Sequence, residues 1–132
     1  MNGAAAWYES LVQPAFAPPA WVFGPVWTVL YIVIAVSYGY VLWLAIQRRL
    51  PWRTVLPFAL NLVFNLAFTP IQFGLRNNLL AALDIVAVLV TLVWALLAVR
   101  KHVHWVALVN LPYLAWVMFA SVLQLSITWL NR

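Results

Sequence analysis

The chain has 132 residues, of which 67% are hydrophobic and only 7% charged, and its mean hydropathy is +1.00. Soluble domains carry roughly 25% charged residues, so a soluble fold of this size could not hide so much apolar surface, and a bilayer is the natural solvent. The formal net charge of +5 does not describe a nucleic-acid-binding stripe, because most of the cations fall in short gaps between apolar runs, and the absence of cysteine removes disulfide and thiol chemistry.

The first ten residues, "MNGAAAWYES", have neither a basic start nor a long apolar core, so no secretory signal is read there. Residues 1–21 are predicted to form an extracytoplasmic cap. Pro14, Pro18 and Pro19 keep it extended and stop it from coiling into helix early, while Pro25 suits the first turn of the span that follows. Four apolar runs come next, at about 22–46, 54–75, 78–99 and 104–130. Each is near or above the ~20 residues that a helix needs to cross the hydrocarbon.

The links "QRRLPWR", "RNN" and "RKHVH" are too short to return across a membrane, so neighbouring spans must run antiparallel. No strand alternation is present, and helices alone can then satisfy the backbone in lipid. The expected fold is all-α: a single domain over 1–132, a polytopic bundle with four transmembrane helices. Pro70 and Pro112 lie inside spans and are expected to kink them. Arg48, Arg49, Arg53, Arg100 and Lys101 occupy the two gaps on one side, against Arg76 and Arg132 on the other. Positive-inside logic puts those two loops in the cytoplasm and both termini outside.

Helical spacing sorts the larger side chains into faces. Phe23, Trp27 and Tyr31 follow at i, i+4 and i+8, and Tyr38 continues that face. Asn61, Phe64, Asn65 and Phe68 share a face of the second span, with Gln72 one turn further. Pro112, Trp116, Ala120 and Gln124 line up on the last, with Tyr113 beside them. Trp7, Trp52, Trp105 and Trp129 read as interfacial anchors. Amides in a membrane often do no more than bond helices together, and that reading stays open for Asn65 and Gln124. Rings and amides converging from several helices suit an apolar pocket with a few orienting polar groups, able to take a flat hydrophobic ligand.

Asp84 is the one acid within the spans and is expected to face the interior with partners, in a structural role more than a proton-coupling one. His102 and His104 read as surface-loop residues. No catalytic triad, zinc set or phosphate loop is present, and no span histidine could serve as a haem axial ligand.

The stretches "WYESLVQPAFAPPAWVFGPVWTVLY", "NLVFNLAFTPIQFGLRN", "ALD" at 82–84 and "LPYLAWVMFASVLQ" at 111–124 resemble, in order and spacing, the translocator protein / tryptophan-rich sensory protein (TspO) family. The resemblance covers nearly all of residues 7–131. It implies an integral membrane protein that binds porphyrins such as protoporphyrin IX or haem as ligand, with no cofactor required, and acts as receptor, sensor or carrier. Carried over by position, the ligand site would comprise Tyr8 and Trp21 from the cap, closing over it as a lid, and Trp27 and Tyr31 from the first span. Asn61, Phe64, Asn65 and Phe68 would follow from the second, and Tyr113, Trp116 and Ala120 from the last. It further implies a bacterial cell membrane, with an outer membrane as the alternative, and a homodimer as the candidate assembly.

The family fold has five helices, and this chain starts where the first would already have ended; one wall of the bundle is then expected to be absent or supplied by a partner chain. Residues 121–132 contain no tyrosine, so the L/V…Y…K/R sterol motif that the resemblance implies for animal members is absent, which counts against sterol binding. Two other readings compete: a small four-helix proton-coupled drug transporter with Asp84 as its coupling carboxylate, and an enzyme that photo-oxidises bound porphyrin through nearby indoles.

Overall fold

A computed structural model describes Trp7 and residues 10–131, the side chains of Ala20 and Phe73 apart. Its elements are a 3-10 turn at Ala20–Val22, α1 at Phe23–Ile46, and α2 at Trp52–Thr69 running on into a π turn at Pro70–Gly74. They continue with α3 at Asn78–Val99, α4 at His104–Val109 and α5 at Leu111–Leu130. Four stretches are long and apolar enough to cross a membrane: Phe23–Ile46, Trp52–Gln72, Asn78–Val99 and His104–Leu130. The 24 residues of α1 give a rod of about 36 Å, enough for a hydrocarbon core of about 30 Å with some tilt. Its outward Val29, Ile32 and Val36 are exposed, as lipid-facing side chains must be. This is an integral membrane protein with an all-helical bundle fold.

Local chemistry explains where each helix begins and ends. Asn77 caps α3, its side chain accepting from Leu80 N at 2.9 Å, which satisfies one of the unpaired first-turn donors. At the end of α1, Arg48 N–H bonds Ala45 O at 3.0 Å and Arg49 N–H bonds Leu44 O at 2.8 Å. This paired reversal normally places glycine at the left-handed position, yet here Arg48 occupies it with φ 61°. A side chain in that conformation costs roughly 1–2 kcal/mol. Arg76, after the π turn, has φ 53°.

Both proline expectations took a specific form. Pro70 opens the π turn, where Leu75 N–H reaches back to Pro70 O at 2.9 Å. The last span does not bend at Pro112 itself but breaks at Asn110, one residue before α5 begins. Pro112 then sits in the first turn of α5, where a missing N–H is tolerated. Asn110 is fully buried. Its Nδ2 donates to Ser37 Oγ on α1 at 3.0 Å and to Val106 O at 2.8 Å, so the break is tied to the first helix.

Packing is uneven, and this unevenness positions the site. The backbones of α2 and α5 approach α3 closely, against small buried residues on α3 that include Ala81, Ala82 and Ala95; short side chains permit such approach in a membrane. By contrast, α1 keeps its backbone further from α2 and α5. Large rings fill the gap: Tyr38 stands edge-on to Phe58 with centroids 4.8 Å apart, and Trp27 packs against the core with Val26.

Candidate functional site

The first helix presents Phe23, Trp27 and Tyr31 along one face because residues four apart lie about one turn apart on the same side. Trp27 is the hub. Its ring tilts against Tyr31 at 5.6 Å and stands edge-on to Tyr113 at 6.3 Å and to Trp116 at 6.4 Å. Trp116 in turn meets Phe23 edge-on at 5.7 Å and Phe119 at 5.5 Å. Phe16 of the cap closes the series, 6.0 Å from Phe119. Offset and edge-on pairs of this kind are the favoured ring geometries, and they form a continuous aromatic wall between α1 and α5.

Beneath that wall runs a chain of hydrogen bonds that crosses four helices. Tyr31 Oη donates to Asn65 Oδ1 at 2.8 Å, and Asn65 Nδ2 donates to Tyr113 Oη at 2.6 Å. Tyr113 Oη in turn donates to Asn61 Oδ1 at 3.1 Å, which also accepts from Tyr38 Oη at 2.6 Å. Asn61 Nδ2 then reaches Val88 O at 2.9 Å and Thr91 Oγ1 at 3.3 Å on α3. Asn61 and Tyr113 are completely buried, whereas Tyr31, at the outer end of the chain, remains 37% exposed. An apolar medium penalises any of these groups left unpaired, so the chain fixes the orientation of each ring that carries a hydroxyl.

Trp27, Tyr31, Asn61, Asn65, Tyr113 and Trp116 are therefore brought together. Ala120 is half-buried on the same core, one turn beyond Trp116. Phe64 and Phe68 pack on the core from α2, but among the described residues neither makes a ring contact with the Trp27 cluster. Tyr8 lies outside the described residues.

Trp21, expected in the lid, has its side chain 74% exposed. The 3-10 turn, closed by Val22 N–H to Pro19 O at 3.1 Å, leads directly into α1, and Trp21 precedes the inward Phe23 by two residues. The cap is closed by other groups. Leu11, Ala17 and Trp7 pack with Phe119 against Leu123 and Ile127. Asn131 Oδ1 accepts from Val12 N at 3.0 Å and its Nδ2 donates to Val12 O at 2.8 Å. Trp7 also lies 5.7 Å beneath the Arg76 guanidinium.

Sequence reasoning assigned no role to Phe119 or Phe16. The spacing from Trp116 to Phe119 was the available signal for the first; nothing marked the second. Gln124 takes the helix-bonding role, donating to Asn78 O at 3.2 Å and Thr128 Oγ1 at 3.3 Å. Asp84 faces inward as expected, at 8% exposure, but the partners expected for it are missing at one atom: Oδ2 is buried without a hydrogen-bond partner. Its neighbours in the same helix turns, Ala81, Ile85 and Val88, are apolar, and the helix-locking work falls to Asn61 and Asn65. Trp116 Nε1 is likewise buried and unpaired, which leaves one indole donor at the ring cluster. Among the described residues no cluster of three His, Asp or Glu side chains could hold a metal ion.

The arrangement defines a class: a polytopic helical membrane protein whose first helix leans on the bundle through rings, above an amide and hydroxyl floor. The family model described as TspO/MBR matches residues 1–130. The chain is 36% identical over 128 residues to the tryptophan-rich protein TspO of Chlorobaculum tepidum, covering 96% of this chain and 81% of that one. It is 34% identical over 122 residues to the translocator protein of Homo sapiens, covering 89% and 70% respectively. With the tryptophan-rich sensory protein of Cereibacter sphaeroides it shares 31% over 126 residues, covering 95% and 77%. The chain belongs to the TspO/MBR family.

Proposed function

We propose that this protein binds a porphyrin, or a similarly flat hydrophobic tetrapyrrole, between α1, α2 and α5, and that it serves as a membrane receptor, sensor or carrier for that ligand. The observation that supports the reading most is Trp27 held against Tyr31, Tyr113 and Trp116 at 5.6, 6.3 and 6.4 Å, directly above the Tyr31–Asn65–Tyr113–Asn61 chain. Rings offer stacking surface to a macrocycle, and a pre-bonded polar floor orients it without losing side-chain freedom on binding. The loose backbone contact of α1 gives a planar ligand a route between helices that α2 and α3 do not offer. The names sensory and translocator, carried by relatives, suit a binding role.

In the same proposal the basic loops, 47–53 and 100–104, face the cytoplasm of a bacterial cell membrane and the cap faces outward, as their Arg and Lys content favours. Titrating protoporphyrin IX into the detergent-purified protein tests the reading. Saturable quenching of tryptophan fluorescence at one ligand per chain supports it; quenching that rises linearly and matches that of empty micelles with free tryptophan refutes it.

A further inference from the structure

At the far end of α1 from the ring cluster, residues of the turns 47–51 and 100–103 line an open recess of about 710 Å³. Arg49, Lys101, His102 and His104 line it, with the rings of Tyr40 and Trp105. Leu44, Leu50 and Val103 supply an apolar part of the wall. Both turns are bonded internally. Arg49 N–H is fixed to Leu44 O at 2.8 Å, and His102 and Val103 N–H both reach Val99 O, at 2.9 and 2.8 Å. Rings hold the cationic side in shape: the Arg49 guanidinium sits 5.9 Å from the Trp43 centroid, Trp43 stacks on Tyr40 at 5.9 Å, and Tyr40 meets Trp105 at 5.2 Å.

Among the described residues these cations have no acidic partner. The whole sequence contains two acidic residues, Glu9 and Asp84. Asp84, the acid among the described residues, lies roughly 22 Å along α3 from Val99, at about 1.5 Å per residue. A recess lined by one sign of charge with apolar walls concentrates the opposite sign. Trp43 and Trp105 are partly exposed at the ends of their spans, the level at which indoles meet lipid headgroups.

We propose that this recess binds a phosphate anion at the membrane interface, of the kind carried by anionic phospholipid headgroups. Arg49 and Lys101 contact the phosphate oxygens, and His102 and His104 offer further ring N–H donors. The Leu44, Leu50 and Val103 wall meets the glycerol and the upper acyl carbons. Charge and apolar lining in one recess fit a lipid phosphate better than a free ion, since a free ion has no use for the apolar part.

The full chain would be purified in a mixed micelle containing equal amounts of dioleoylphosphatidylglycerol and dioleoylphosphatidylcholine, and retained lipid counted by native mass spectrometry. Wild type is expected to keep one phosphatidylglycerol in preference to phosphatidylcholine, and Arg49→Gln/Lys101→Gln to lose that preference by about tenfold or more. Arg53→Gln/Arg100→Gln removes equal charge at the same end without touching the lining and is expected to change it by no more than about twofold. Arg49→Lys/Lys101→Arg, which keeps both charges, retains the lipid and keeps the test decisive should the neutral variant unfold. Inorganic phosphate forms a second arm: displacement of the lipid assigns the site to phosphate anions generally, and retention in its presence assigns it to the lipid headgroup. Equal loss in the two neutral variants, or no preference in wild type, overturns the proposal.

Discussion

Asn65 donates to the Tyr113 hydroxyl at 2.6 Å, and with the Tyr113 bond to Asn61 it joins α2 to α5 through the centre of the bundle, where the Tyr113 ring stands edge-on to Trp27. The two residues are 48 positions apart in sequence. Their bond couples helix association to the shape of the ring wall, so stability and ligand binding should respond together to changes in this chain of amides and hydroxyls.

Tyr113→Phe removes one acceptor and one donor from the chain and leaves Asn65 Nδ2 without its partner. A loss of about 1–2 kcal/mol is expected in thermal or denaturant unfolding in detergent. Tyr38→Phe removes only one of the donors to Asn61 Oδ1, because Tyr113 still supplies the other, and should cost less. Because both hydroxyls share that oxygen, the double variant should depart from the sum of the single losses.

Arg48→Gly is expected to stabilise the protein. Glycine occupies φ 61° without strain, although its freer unfolded chain offsets part of the gain; a net of roughly 0.5–1 kcal/mol remains. The side chain of Arg48 is not part of the ring cluster, so porphyrin affinity should not change. A lower melting temperature would show that the arginine makes a compensating interaction.

How much of this was legible in the sequence follows from what each signal measures. Apolar runs punctuated by Arg and Lys gave the four spans, because lipid imposes length and hydropathy directly. The four-residue spacings of Trp27 with Tyr31, and of Asn61 with Asn65, gave the correct inward faces, because both pairs lie well inside continuous helix. Trp21 was assigned by resemblance and not by spacing; it precedes the first regular turn, and its side chain is exposed. Asn110 hid inside an apolar run that reads as one helix, with only Pro112 to hint at the break. Arg48 carried no signal at all, since its chain reversal uses an arginine where glycine is the usual marker.

Asn131→Ala should free the cap without unfolding the bundle. The two bonds to Val12 are lost, and amide hydrogen exchange in residues 10–22 is expected to rise while that of α3 stays protected. Unchanged exchange at Val12 would mean that the cap's other contacts, those of Trp7, Leu11, Phe16 and Ala17 among them, hold it without Asn131.

Asp84→Asn should leave porphyrin affinity within about twofold, since the carboxylate takes no part in the ring and amide cluster. An isolated acid within a membrane span is costly, by about 2.5–3.5 kcal/mol on insertion scales. The amide should therefore unfold at or above the wild-type temperature. Loss of binding in this variant would move the ligand toward α3.

If Trp27 and Trp116 wall the ligand site, the protoporphyrin IX dissociation constants of single alanine variants in the same detergent will show it. Trp116→Ala removes ring contacts to Phe23, Trp27 and Phe119 at once and is expected to weaken binding about tenfold or more, as loss of a stacking ring worth about 1–3 kcal/mol would. Trp94→Ala, on the exposed face of α3, is expected to bind as wild type. Equal affinities for Trp116→Ala and wild type, or equal losses in both variants, would mean that this ring does not wall the site.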